Sequence, residues 1–260
     1  MFKLLLILLP FFILPNEPTY NQVARIEFKA DGFTTDNLGN VYLRKAEELK
    51  KYNQDGKLLN PYSDKSLGKV SSVDATNFLK LVVFYRDFSK IVFLDNMLAP
   101  TGEPIQLQRL ELEQATLAAS SHNNGLWLYH QFEFKLIRLG QNLKPSHQTP
   151  NLMQLMGYQM NPNFLLEVNN MVFLNNPETG ILLFDIFGTY NKTIPIRGLE
   201  SFQVIGNEIF YFLNKEFRSY NLKTLEESRI NLPEAYPIDV RIEKKRLFVL
   251  SKDALTIYAL

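Results

Sequence analysis

The chain of 260 residues contains no cysteine. That absence excludes a disulfide framework, a thiolate zinc site, an iron–sulfur cluster, a thiol nucleophile and a lipid-modified N-terminal cysteine. Excess charge is missing as well. Lys and Arg total 28 against 27 Asp and Glu, a formal net charge of +1, so no global field draws the protein to nucleic acid and no acidic tail exists. No Gly-x-Ser-x-Gly elbow, His-Glu-x-x-His helix or phosphate-cradling Walker loop occurs anywhere in the sequence. Beyond the first 14 residues, no apolar run is long enough to cross a bilayer.

Metal-binding residues are equally sparse. There are three histidines, His122, His130 and His147. The first two fall at opposite ends of one expected strand, about 20 Å or more of extended chain apart, so they cannot share a metal within it. His147 follows Pro145 in a Pro-bounded loop. Lone histidines of this kind read as surface or internally satisfied residues. Asp36, Asn37 and Asn40 offer oxygen ligands, but the alternating acidic loop and distal Glu of a calcium hand are absent, and a tight turn demands the same residues. Paired carboxylates such as Glu47-Glu48 and Glu226-Glu227 read as solvated faces. No residue is assigned as catalytic, and no metal or cofactor is expected.

What the chain does have is apolar and aromatic content, 46% and 13% of residues, enough for an ordered core. It is arranged as a repeat of roughly 40 residues. Apolar strands are expected at Asn40–Leu43, Leu81–Tyr85, Leu126–His130, Met171–Leu174, Ile209–Leu213 and Leu247–Leu250. Each is followed by a partner, at Leu49–Asn53, Lys90–Leu94, Lys135–Leu139, Ile181–Asp185, Phe217–Asn221 and Leu255–Tyr258. Six such units predict an all-β fold, a six-bladed β-propeller. Gly and Asn in the intervening turns, as in Asn53-Gln54-Asp55-Gly56-Lys57 and His122-Asn123-Asn124-Gly125, supply the positive φ that such turns require. The blades divide near Ala30–Lys69, Val70–Arg109, Leu110–Asn151, Leu152–Arg197, Gly198–Ala235 and Tyr236–Leu260. The last unit has room for three strands only. The alternating segment Val23–Phe28, which lacks a partner of its own, is expected to complete it and close the ring. Arg44–Lys51 and Leu152–Met156 lack a sustained helical stripe and read as turns or loops, and the stretches Pro100–Pro104 and Lys144–Pro150 as stiff Pro-bounded loops.

The N-terminus carries a separate signal. Lys3 precedes an apolar run from Leu4 to Leu14, interrupted only by Pro10, and a polar stretch follows to Tyr20. This is the layout of a signal peptide over residues 1–20, which places the remaining propeller, residues 21–260, in the periplasm or outside the cell.

The turn Asp36-Asn37-Leu38-Gly39-Asn40-Val41-Tyr42 resembles the Asp-x-x-Gly-Asn-x-Tyr turn of NHL-type and related TolB-like extracytoplasmic six-bladed propellers. His122-Asn123-Asn124-Gly125-Leu126-Trp127 is a diverged copy of it, and Leu49–Lys57 is similar to the strand and Asp-Gly turn that follow it in that family. The clear motif is confined to blade one. The resemblance implies a fold shared by lyases, lactonases, binding modules and scaffolds, and it carries over no catalytic residue.

Two function classes follow. The first is a non-enzymatic module that holds a protein partner in the cell envelope. Aromatic residues near expected turns, Tyr85, Phe88, Tyr129, Phe132, Phe134, Phe187, Tyr190 and Tyr236, are its candidate contact surface, although blade packing uses the same residue types. The second is a lyase- or lactonase-type enzyme, or a glycan or other small-ligand binder, at the channel mouth. It requires polar and titratable side chains from several blades to converge on the axis, whereas an apolar or plugged channel favours the scaffold.

Overall fold

The computed structural model describes residues 20–233 and 236–260; the expected leader, except for its last residue Tyr20, lies outside these residues. Six antiparallel four-stranded sheets are arranged as the blades of a β-propeller. Blade one runs from its innermost strand Gly32–Thr35 through Val41–Lys45 and Glu48–Tyr52 to Leu58–Ser63. Blades two to five repeat that order, with innermost strands Ser72–Asp74, Ala115–Ser121, Phe164–Val168 and Gln203–Ile205. In blade six the order is Asp239–Glu243, Arg246–Leu250, Ala254–Ala259 and then the N-terminal strand Asn21–Glu27.

That fourth strand closes the ring as expected. Ile26 lies opposite Leu255 and Asn21 opposite Ala259 in an antiparallel ladder. The Tyr20 ring packs edge-on to Tyr258 at 6.2 Å, and its hydroxyl donates to the Asn231 carbonyl. The edge of the last three strands is thereby covered by the other end of the chain.

In blades two, three, four and six the second and third strands are mostly apolar, because both their faces meet other sheets. Their side chains form a separate core at every junction between blades. Tyr42 and Leu49 meet Val83 and Tyr85 between blades one and two. Trp127 and Tyr129 meet Leu174 and Phe184 between blades three and four. Phe33 and Leu43 meet Phe248 and Ile257 where the ring closes. Each junction is a small core of aromatic and branched side chains, and the sum around the ring substitutes for one central core.

Carboxylates tie the inner strands together. Asp74 Oδ2 accepts from the amide and hydroxyl of Ser120 in the next blade, both at 2.7 Å. Within blade one, Asp36 is buried and organises the turn that the family motif describes. Its Oδ1 accepts from the Leu38 and Asn40 amides, and its Oδ2 from Asn40 Nδ2 and from the Tyr42 hydroxyl, at 2.8 to 2.9 Å. Burial and that carboxylate together push the Tyr42 phenol well above its ordinary pKa.

Three local expectations need correction. Lys45 pairs with Glu48, so Arg44–Lys51 belongs to a β-hairpin whose tight turn is carried by Ala46 at φ 48°. Leu152–Met156 is a one-turn helix, capped by Asn151 through the Gln154 amide and ended by left-handed Gly157, and it buries Leu152. Within Lys144–Pro150, Pro145–Gln148 is the outermost strand of blade three. Proline is tolerated there because no fifth strand asks for its amide.

Candidate functional site

Antiparallel strands fix where each connection emerges. The turns from first to second strand open at one end of the disc. The turns from second to third strand, and the links between blades, lie at the other. By this rule Phe88, Phe132, Phe134 and Tyr236 belong to one end, and Phe187 to the opposite end, in the link from third to fourth strand of blade four.

The eight aromatic candidates do not form one surface. Tyr85 and Tyr129 are fully buried in the blade junctions and leave the contact surface, because the apolar strands that carry them are covered on both faces. Burial raises the Tyr129 phenol to about 12. Phe134 and Tyr190 are half-buried against the core between blades three and four. Phe88, Phe132, Phe187 and Tyr236 are exposed, Phe132 at 70% and Tyr236 at 79%. Phe187 packs edge-on to His147 at 5.4 Å. Around Phe132 the helix adds apolar surface: Leu152 N donates to Phe134 O at 2.7 Å, which sets exposed Met153 and Leu155 beside the Phe132 turn.

A groove of about 440 Å³ crosses the inner turns of blades two to four and includes Lys80, Ser121, His122 and Glu167. Glu167 is buried and accepts from Trp127 Nε1 and Ser121 Oγ at 2.6 Å, and from the His122 amide at 2.8 Å. His122 Nδ1 faces Glu167 Oε1 at 2.9 Å and Ser121 Oγ at 3.3 Å. A hydrolytic triad needs imidazole to bridge carboxylate and hydroxyl through its two different nitrogens. Here both partners approach the same nitrogen. Ser121 Oγ also receives Arg138 Nε at 2.8 Å. The cluster is a knot joining blades three and four, with its serine already engaged.

The channel is different. A cavity of about 730 Å³ runs along the axis and is lined by the innermost strands of all six blades. Asp31, Arg44, Asp74, Glu200, Asp239, Arg241 and Glu243 all reach it, beside Phe33, Phe164, Phe202 and Phe212. In blade six the strand Asp239–Glu243 sends alternate residues inward, as the two-residue period requires. Desolvation raises the Asp239 carboxyl, against the opposing pull of Arg241, the Val240 amide and Arg44. Desolvation likewise lowers Arg241, against Asp239 and Asp74, and lowers Arg44, against Asp31 and Asp239. It also raises Glu243. Polar, titratable side chains from several blades therefore do converge on the axis. None of these residues stands out as a site residue in the sequence. The signal available was the alternation Asp239-x-Arg241-x-Glu243 in an innermost strand, where the polar face looks into the channel instead of bulk water. Among the described residues no group of three acidic or histidine side chains is placed to hold a metal ion, and no helix is long and apolar enough to cross a membrane.

A six-bladed propeller with a polar axial channel is the class that fold and site define. No protein-family model and no curated protein matches this sequence. Solved structures do. A chain of BamB from Moraxella catarrhalis superposes with TM-score 0.58 at 11% identity, covering 93% of this chain and 100% of that one. Virginiamycin B lyase from Staphylococcus aureus gives TM-score 0.59 at 14% identity, covering 93% and 98%. A chain in the crystal structure of the mitotic checkpoint complex gives 0.63 at 9%, covering 100% and 99%. At such identities the likeness is one of fold, and it supports the resemblance to TolB- and BamB-like propellers at that level.

Proposed function

We propose that this chain is an exported propeller that performs no chemistry of its own and holds a protein partner of the cell envelope on one end of its disc. The observation that supports this reading is the exposed apolar group Phe132, Met153 and Leu155 in adjoining connections of blades three and four. Phe88 and Tyr236 extend the same end. A similarly folded chain belongs to the mitotic checkpoint complex, an assembly of proteins, and the near-neutral net charge disfavours nucleic acid. Export rests on the leader-like residues 1–20.

The test is site-specific photo-crosslinking in cells. A photoreactive phenylalanine at Phe132 is expected to trap one partner of discrete mass in the envelope fraction. The same probe at exposed Leu225, in a link of blade five at the opposite end, is expected to trap none. Equal trapping from both positions, or none from Phe88, Phe132 and Tyr236, refutes the reading. The mass of the mature N-terminus checks the leader.

The polar channel favours a second reading, a binder of a small ligand such as a glycan, or a lyase- or lactonase-type enzyme acting at the axis. A similarly folded neighbour is a lyase. Titratable groups with displaced pKa values in one cavity are the feature that supports it.

A further inference from the structure

We propose that Arg241 and Arg44 make the wall between blades six and one a binding site for a small carboxylate that also carries hydroxyl groups, the chemical class of a sugar acid. The proposal rests on the small-ligand reading of the channel and is independent of any protein partner.

Arg241 is the starting point. It is only 8% exposed, and its buried Nε has no hydrogen-bond partner among the described residues. Asp239 and Asp74 influence it through space, but neither forms an ion pair with it. Its guanidinium lies over the Phe33 ring, 5.8 Å from the centroid; the ring backs one face, Nε is buried, and the terminal Nη groups are left for the cavity. A desolvated cation with a ring face but no acceptor at hydrogen-bonding distance is costly. Proteins that bury an arginine for structural ends normally give it oxygen acceptors at hydrogen-bonding distance, as Arg138 in blade three donates to Ser121 Oγ, Ser146 Oγ and the His122 carbonyl.

A second cation reaches the same wall by an unusual route. Arg44 belongs to the second strand of blade one, opposite Gly32 of the innermost strand. It gains the channel by lying across that glycine: a Cβ at Gly32 would sit 2.7 Å from its Nη2. The missing side chain is the opening through which Arg44 enters. Both guanidiniums act on Asp239, so the two cations and this carboxyl share one neighbourhood.

The chemistry of a ligand follows. Two planar guanidiniums match an oxyanion, and a carboxylate can accept two parallel N–H bonds from either. The remaining lining restricts the choice. Asp31, Asp74, Glu200, Asp239 and Glu243 reach the same cavity, so a multiply charged anion meets repulsion on most sides. Hydroxyl groups, by contrast, donate to these carboxylates. A cavity of about 730 Å³ accommodates a molecule of hexose size with its water.

Two measurements on the full-length protein test this. Arg241→Met removes the unpartnered charge and keeps most of the side-chain volume. If the arginine waits for a ligand, the ligand-free variant is expected to melt about 2–4 °C above wild type, the exchange of function for stability that binding sites show. If the arginine is a structural member, the variant melts several degrees lower, and the proposal fails. Calorimetric titration then uses D-glucuronate, D-glucose and citrate. Glucuronate alone is expected to bind wild type, and at least tenfold more weakly to Arg241→Met and Arg44→Met. Unchanged glucuronate affinity in the variants, or no glucuronate binding by wild type, overturns the proposal. Glucose binding that survives in Arg241→Met also overturns it, but leaves the channel as a small-ligand site.

Discussion

A single buried carboxylate shows how much structure one side chain can carry. Asp36 is 1% exposed, and its two oxygens satisfy two turn amides, the Asn40 side chain and the Tyr42 hydroxyl. The motif is thus a hydrogen-bonding device: the Asp gathers the donors, Gly39 takes the left-handed corner at φ 84°, and the Tyr returns from the next strand. Blade three keeps an aromatic donor in Trp127 but finds its acceptor, Glu167, in the neighbouring blade. The acceptor there comes from the next blade, and the donor is still paired. Asp36→Ala strands several buried donors at once. It is expected to cost about 2–4 kcal/mol, read as a lower urea midpoint with an unchanged slope. A loss below about 0.5 kcal/mol would show that water replaces the carboxylate and that the motif is not structural.

At the scale of the element, hairpins that must cross a neighbouring carbonyl leave no room for a side chain. Gly180 begins the third strand of blade four at φ 123°, and a Cβ there would lie 2.1 Å from the Ile194 carbonyl oxygen. Gly180→Ala combines that clash with a conformation alanine resists, and a loss of about 2–4 kcal/mol in the same urea assay is expected. A fully stable variant would mean that the hairpin shifts at no cost. Strands such as Leu81–Tyr85, Lys90–Leu94 and Lys135–Leu139 were legible to the residue, because each is an apolar run bounded by turn formers. The outermost strands were not. Leu58–Ser63, Pro145–Gln148 and Glu227–Ile230 are mostly exposed, and their pairing depends on backbone hydrogen bonds that write no hydrophobic pattern. The aromatic candidates were half legible for a related reason. Tyr85 and Phe88 sit three residues apart, yet one ends a strand covered on both faces and the other sits in the exposed turn that follows. The channel arginines were illegible because Arg241 alternates like any solvated strand residue. Only the ring, which turns that face inward, converts it into a site.

For the whole molecule, everything at the axis depends on the ring remaining shut. The six junction cores are local, so no central core holds the disc together if one junction opens. The junction between blades six and one is the vulnerable one, since it joins the two ends of the chain. Its fourth strand contributes Ile26 to that core and pairs along Ala254–Ala259. Arg241 and Asp239 stand on blade six, and Arg44 and Phe33 on blade one. The proposed carboxylate site therefore straddles the closure. A chain that begins at Phe28 lacks the closing strand and exposes the edge of Ala254–Ala259, a segment containing Leu255, Ile257 and Tyr258. Two consequences are expected together: a melting temperature lower by about 10 °C or more, and concentration-dependent self-association through the bare edge in size-exclusion chromatography. Adding the Asn21–Glu27 peptide in trans should reverse the association by occupying that edge. If the shortened chain remains monomeric and melts with the longer one, the closing strand is an ornament and the blades hold the ring unaided. If it melts early, glucuronate should raise its melting temperature less than it raises that of the closed ring, because the two halves of the site no longer keep their spacing.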